Sequence, residues 1–298
     1  NSDGTTVRCG AVHMYQLEQG TWVWKQRVAD ARGGICNSGT EEFGFAVDVK
    51  GTRLVVGAPG DGNAGRVHLF TYFNNQWTRR ATFGPDQDIS PANNQYSNDA
   101  RIGHDVAVHD VGQGRYRVGI GAPLTNFDMG RSNAGLVYII DASFQNNAWS
   151  YDWDLVGSQS IQSNASLGTS MTWRDATRLW SGSPYYSRQN DTNTGAIDEF
   201  IYNTASDTAS SNGGPYDING LGLAGQSNSD DAFYAYAMAS DEATNWIVVG
   251  APGKNNDQGM TYVMDSNFAV SHQALAAPST DNDDSFGITV DICSNERL

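Results

Sequence analysis

The sequence predicts an all-β fold, a β-propeller of four-stranded antiparallel blades, and three observations carry that prediction. Short runs of alternating apolar and polar or small residues are bounded by Gly, Pro, Asn and Asp, and no long segment has a 3.6-residue period. A Gly-Ala-Pro type of turn recurs at Gly57, Gly121, Gly182 and Gly250, at spacings of about 60–70 residues. A strand of the form Gly-x-[Val/Ile/Thr]-x-x-apolar begins at Gly65, Gly135, Gly195 and Gly259, and once more at Gly10. Four short strands per repeat, repeated around an axis, describe a propeller. Helix is expected to be almost absent.

Taken in chain order, residues 10–28 read as the third and fourth strands of a repeat whose opening strand, 286–293, lies at the other end of the chain. The next repeat is the clearest. Phe43 to Val49 alternates as a first strand, and Arg53 to Val56 is a second strand closed by Gly57-Ala58-Pro59. Gly65 to Tyr72 is a third and Gln76 to Phe83 a fourth, with Asn74-Asn75 as the hairpin turn between them. Segments 102–140, 167–201 and 234–264 repeat this grammar, and Asn146-Asn147 marks another hairpin. Five blades are therefore visible, with first strands near Phe43, Ile102, Leu167, Phe233 and Phe286. Residues 1–298 are read as one propeller domain, with 1–28 and 286–298 sharing a split blade; the alternative is a part of a seven-bladed propeller. In the split blade, Leu298 falls where the second strand should begin and Asn1 in the loop that should follow it. An inner strand is thus missing from the pattern, and a filler is expected from the same polypeptide beyond these ends or from an identical subunit by strand addition.

These residues resemble the FG-GAP repeats of integrin α-subunit heads, and more closely the short-turn FG-GAP repeats of bacterial and algal surface proteins. The resemblance spans nearly the whole chain and implies the propeller fold and a surface role. Two departures matter. Ala235 replaces the glycine of the Phe-Gly pair, though it is still small. The Asp-x-[Asp/Asn]-x-Asp-Gly calcium loops of integrin heads are also missing. The corresponding turns are Lys50-Gly51-Thr52-Arg53, 110–115, 174–178 and 241–245, and none supplies the six or more oxygens that calcium takes. The Phe-Gly glycines are expected where strands crowd near the propeller axis. Trp22 and Trp77, on fourth strands, are expected to cover apolar surface between blades.

Composition narrows the function. The formal charge of −15 argues against a nucleic-acid partner and against an anionic membrane surface. No apolar run is long enough for a membrane span, so no membrane insertion is expected. The chain opens at Asn1 with neither Met nor a signal pattern, as a processed chain or a piece of a longer one would. Few lysines, abundant Asn, Ser and Thr, and the sequons at Asn164 and Asn190 read as an extracellular, secreted or cell-surface glycoprotein. Of three cysteines, Cys9 and Cys36 fall at one end of the split blade and Cys293 at the other. A Cys9–Cys36 disulfide is expected, leaving Cys293 free or paired outside the chain.

Candidate ligands are sparse. Acidic residues precede the Phe-Gly positions at Glu41-Glu42, Asp99, Asp230-Asp231 and Asp283-Asp284, which reads as turn capping and a solvated face. The sharper reading is a surface for a divalent cation or a cationic partner. Asp281, Asp283 and Asp284 are its densest metal candidates, and calcium is the one ion raised; otherwise no cofactor is expected. His13 and His68 hold one repeat position, shared with Tyr138, Asp198 and Tyr262, and are read as surface strand residues on separate blades. No Gly-x-Ser-x-Gly, His-Glu-x-x-His, Walker or Ser-x-x-Lys motif occurs, so no catalytic residue is assigned and no enzyme is expected. The reading is a non-catalytic extracellular module for adhesion, protein–protein interaction or structural assembly, with a subunit of a larger or filamentous appendage as one form of it. The alternatives are a carbohydrate-binding lectin with glycan ligands and, behind it, a polysaccharide-cleaving enzyme.

Overall fold

A computed structural model of the chain describes residues 9–29, 40–85, 87, 97–126, 131–145, 148–157, 162–188, 191–217, 231–265, 273–278 and 283–292. The strands are β1 (Val12–Glu18), β2 (Thr21–Val28), β3 (Val47–Lys50), β4 (Arg53–Ala58), β5 (Arg66–Phe73), β6 (Gln76–Phe83), β7 (Val106–Gly112), β8 (Arg115–Ala122) and β9 (Leu136–Gln145). They continue as β10 (Ala148–Val156), β11 (Ser170–Asp175), β12 (Arg178–Ser183), β13 (Ala196–Asn203), β14 (Thr208–Tyr216), β15 (Met238–Asp241), β16 (Trp246–Ala251), β17 (Met260–Asp265) and β18 (Gln273–Ala276). Among the described residues helix is limited to one turn, Lys254–Asp257, and positive φ at Asn255, Asn256 and Asp257 makes even that turn irregular.

Four sheets run in chain order, β3–β6, β7–β10, β11–β14 and β15–β18, all antiparallel, and β1 pairs with β2 in a two-stranded sheet. This is the expected propeller grammar, with each blade a meander whose first strand faces the axis. The hairpin at Asn74-Asn75 has positive φ at both residues, 49° and 60°, as a turn that matches strand twist requires. Asn146-Asn147 lies outside the described residues.

The core lies between blades. Val55, Leu69 and Phe83 of the first blade pack with Val106, Val118 and Ile120 of the second. Val137 and Ile139 meet Leu167, Trp173 and Phe200, and Trp180 and Ile197 meet Tyr234, Val249 and Tyr262. Val28 meets Phe43, Leu54 and Phe70, with Val12, Met14 and Trp77 against them. Inner strands are therefore covered on both faces: Leu54, Val55, Val56, Gly57 and Ala58 are all buried. One expectation is corrected by this geometry. His68 is 1% exposed, its ring 5.2 Å from that of Phe43 at a 49° tilt and beside Thr82, and not at the surface. The glycine pairs crowd where neighbouring blades meet. A Cβ on Gly57 would lie 2.0 Å from the Gly103 carbonyl oxygen, and the pairs Gly121–Gly168, Gly182–Ala235 and Gly250–Gly287 give 1.9, 2.1 and 1.8 Å.

Three further differences follow from the same packing. The ladder of the first blade starts at Val47 and not at Phe43, because Gly44 turns at φ 89° and Phe43 makes a parallel bridge to Gly10 of the preceding blade. Of 286–293, only Phe286 pairs among the described residues, through a bridge to Gly259, so a regular first strand does not form there. Trp77 packs between blades and against Tyr72 at 5.2 Å, but Trp22 is 68% exposed; among the described residues β1 and β2 pair only with each other.

Candidate functional site

Each first strand brings an apolar stretch with an inserted polar residue to the axis, and together they wall a cavity of about 740 Å³. Its lining comes from all five repeats: Val47–Lys50, Asp105–His109, Met171–Trp173, Met238–Ala243 and Val290–Ile292. Residues as far apart in the chain as Val47 and Ile292 thus share one channel. Its charged lining is mainly acidic, with Asp48, Asp105, Asp241, Glu242 and Asp291 against Lys50 and His109.

The carboxylates are engaged with the backbone. Asp48 Oδ1 accepts from the Val49 N–H and Oδ2 from the Val108 N–H on the next blade, both at 2.7 Å. Asp105 Oδ2 accepts from the Met171 N–H at 2.6 Å, again one blade on. The circuit continues with Trp173 Nε1 donating to the Ala107 carbonyl at 3.0 Å, and with the Ser240 hydroxyl donating to the Trp173 carbonyl and touching Thr172 Oγ1, each at 2.7 Å. Burial pushes the Asp105 carboxyl up to about 7, against the lowering from its backbone donors and with a further push from Asp48. Burial also raises Asp48, and Asp291 adds to it. His109 is lowered by burial, and Lys50 and Arg117 act the same way while Glu242, 3.8 Å from Nδ1, opposes them. An aspartate within an apolar strand, as in Phe-Ala-Val-Asp-Val, was a legible signal for such a tie that motif reading passed over.

The turns between first and second strands do not fit calcium. The Asp175 Oδ1 oxygen accepts from the Thr177 N–H, the Thr177 hydroxyl and the Arg178 N–H. Asp110 caps Gly112, and Asp241 caps Ala243 and Thr244. Arg53 lies 5.1 Å over both the Tyr116 and Trp149 rings, so this turn carries a cation against aromatic faces. At the opposite end, the acidic loops have a backbone role. Asp99, Asp231 and Asp283 all have positive φ, 63°, 53° and 71°, and Asn164 takes the same place at 63°. Short Asp and Asn side chains tolerate that conformation best. Glu42 pairs with Arg101 at 2.8 Å, and Asp231 accepts from Asn193. Asp230 and Asp281 lie outside the described residues, and Asp283 and Asp284 are exposed. Among the described residues no group of three His, Cys, Asp or Glu is placed to hold a metal ion.

Cys9 is disulfide-bonded, while both Cys36 and Cys293 lie outside the described residues. Asn164 is exposed next to a buried Ser166, and Asn190 lies outside the described residues. No described helix is long and apolar enough to cross a membrane.

Comparison with known proteins agrees with the repeat. Residues 37–70, which include β3 and β4, match the FG-GAP repeat family. No curated protein matches. Among solved structures, a protein of Bacteroides uniformis provisionally named a 6-phosphogluconolactonase is similar over 91% of this chain and 64% of its own, with 9% identity and a TM-score of 0.48. One from Bacteroides fragilis with the same provisional name gives 94%, 66%, 9% and 0.47. The RAG complex with one melted and one unmelted RSS gives 79%, 66%, 10% and 0.35. The chain spans less than two thirds of the length of each of these structures.

Proposed function

We propose that this chain, which carries an FG-GAP repeat in its first complete blade, is a non-catalytic binding or assembly module that works outside the cell. One observation carries the reading: the carboxylates that line the axial cavity, Asp48 and Asp105, hold backbone N–H groups of the neighbouring blade. Groups so committed maintain the ring and are poorly placed to exchange protons with a substrate. The disulfide at Cys9 supports an oxidising compartment. The acidic balance of −15 favours a cationic or neutral partner over an anionic one.

A glycan array run beside a turnover panel of neutral and acidic polysaccharides and sugar lactones tests this. The expected result is no turnover above a heat-denatured control. Turnover that disappears in Asp105→Asn would overturn the non-catalytic reading, and saturable binding to one glycan class would make the module a lectin.

A further inference from the structure

The two-stranded sheet marks a specific surface. A parallel bridge joins Gly10, just before β1, to Phe43, as Gly65 is joined to Ile102, Gly135 to Leu167, Gly195 to Tyr234 and Gly259 to Phe286. By that register β1 is a third strand. In each complete blade the third strand is paired on both edges, but among the described residues β1 pairs only with β2.

Burial traces the outline of the place beside β1 that no described strand fills. The repeat position of His68, Tyr138, Asp198 and Tyr262 is at most 1% exposed, whereas His13 at that position is exposed. Tyr15 is 54% exposed where Phe70 is 5%. On the facing strand of the next blade, Val47 and Val49 are both 51% exposed, whereas their counterparts Val106 and Val108 are 4% and 6%. Those counterparts are covered by Val55 of β4, a second strand. The glycine contacts agree. A Cβ on Gly103, Gly168 or Gly287 would meet the α-carbon of Gly57, Gly121 or Gly250 at 2.9–3.1 Å, but the three atoms nearest to one on Gly44 belong to Val12 and Ala11, at 3.1–3.6 Å.

We propose that the free edge of β1, together with the Val47–Val49 face of β3, is a receptor for one extended polypeptide segment of second-strand type. That segment has aliphatic residues, then a glycine opposite Gly44, then a small residue. It pairs with β1 by strand addition and lays its aliphatic side chains on Val47 and Val49. The glycine is required because at each equivalent place a Cβ would come within about 2 Å of a carbonyl oxygen. A folded second copy does not supply such a segment, since β4, β8, β12 and β16 are each already paired on both edges. The inference gives the assembly reading a surface and rests on that reading only for its purpose, because glycan binding or turnover would leave the strand site unaffected.

The test is fluorescence anisotropy of a labelled peptide, Arg53 to Pro59 of this chain, titrated with the full chain, with hydrogen exchange of β1 read in parallel. Saturable one-to-one binding is expected, together with slower exchange at Tyr15 and Leu17. At least tenfold weaker binding is expected for the Gly57→Val peptide, and for a Val49→Glu chain, in which an exposed residue is changed. Absence of binding at millimolar peptide, equal binding of the Gly57→Val peptide, or β1 amides already protected in the free chain would each overturn the proposal. So would self-association through β1 that the peptide does not dissolve.

Discussion

Asp105 makes the stability of this propeller depend on pH in an unusual direction. Its carboxyl is raised from 3.8 to about 7 in the folded chain. The folded state therefore holds a proton that the unfolded chain has already released, and stability falls as pH rises through that window. Between pH 5 and pH 8 the linkage relation with these two values gives a loss of about 2–3 kcal/mol. Asp105 is partly exposed on the wall of the channel, and solvent screening there reduces the expected loss to about 1–2 kcal/mol. Asp105→Asn removes the titration but retains an oxygen that accepts from the Met171 N–H. Urea denaturation of both chains at pH 5 and pH 8 measures the effect. The variant is expected to gain about 1–2 kcal/mol relative to the natural chain at pH 8 over pH 5. An equal difference between the two chains at both pH values would refute the reasoning, because the carboxyl would then titrate alike in both states.

Other expectations follow from the same contacts. Gly57→Ala places a Cβ against the Gly103 carbonyl and should cost about 1–3 kcal/mol, read from the denaturation midpoint. Asp141 accepts from Arg117, which is fully buried, and from Arg115, so Asp141→Ala should strand the Arg117 charge and cost about 3–5 kcal/mol by the same assay. Non-reducing peptide mapping should join Cys9 to Cys36, and Cys9→Ser should lose about 2–4 kcal/mol; a Cys9–Cys293 peptide would contradict that pairing.

Periodicity and turn chemistry were enough to read the blades, because both are local. The fourth strand at Gln76–Phe83 and the hairpin at Asn74-Asn75 need only neighbouring residues to be recognised. The acidic residues before the Phe-Gly positions were likewise legible as turn formers, since the preference of Asp99 and Asp231 for positive φ is their own. What alternation could not say is which strands are covered twice. It read Gly65–Tyr72 as half-buried and His68 as a surface residue, but blade-on-blade packing closes both faces of every complete third strand. The channel carboxylates were also out of reach, because Asp48 and Val108, or Asp105 and Met171, meet only when successive blades stand side by side. The repeat leaves one inner strand unaccounted for, but only the tertiary structure located the residues around that place. His13, Tyr15, Val47 and Val49 come from different blades, and their exposure depends on which strands stand beside them, not on their own sequence neighbours.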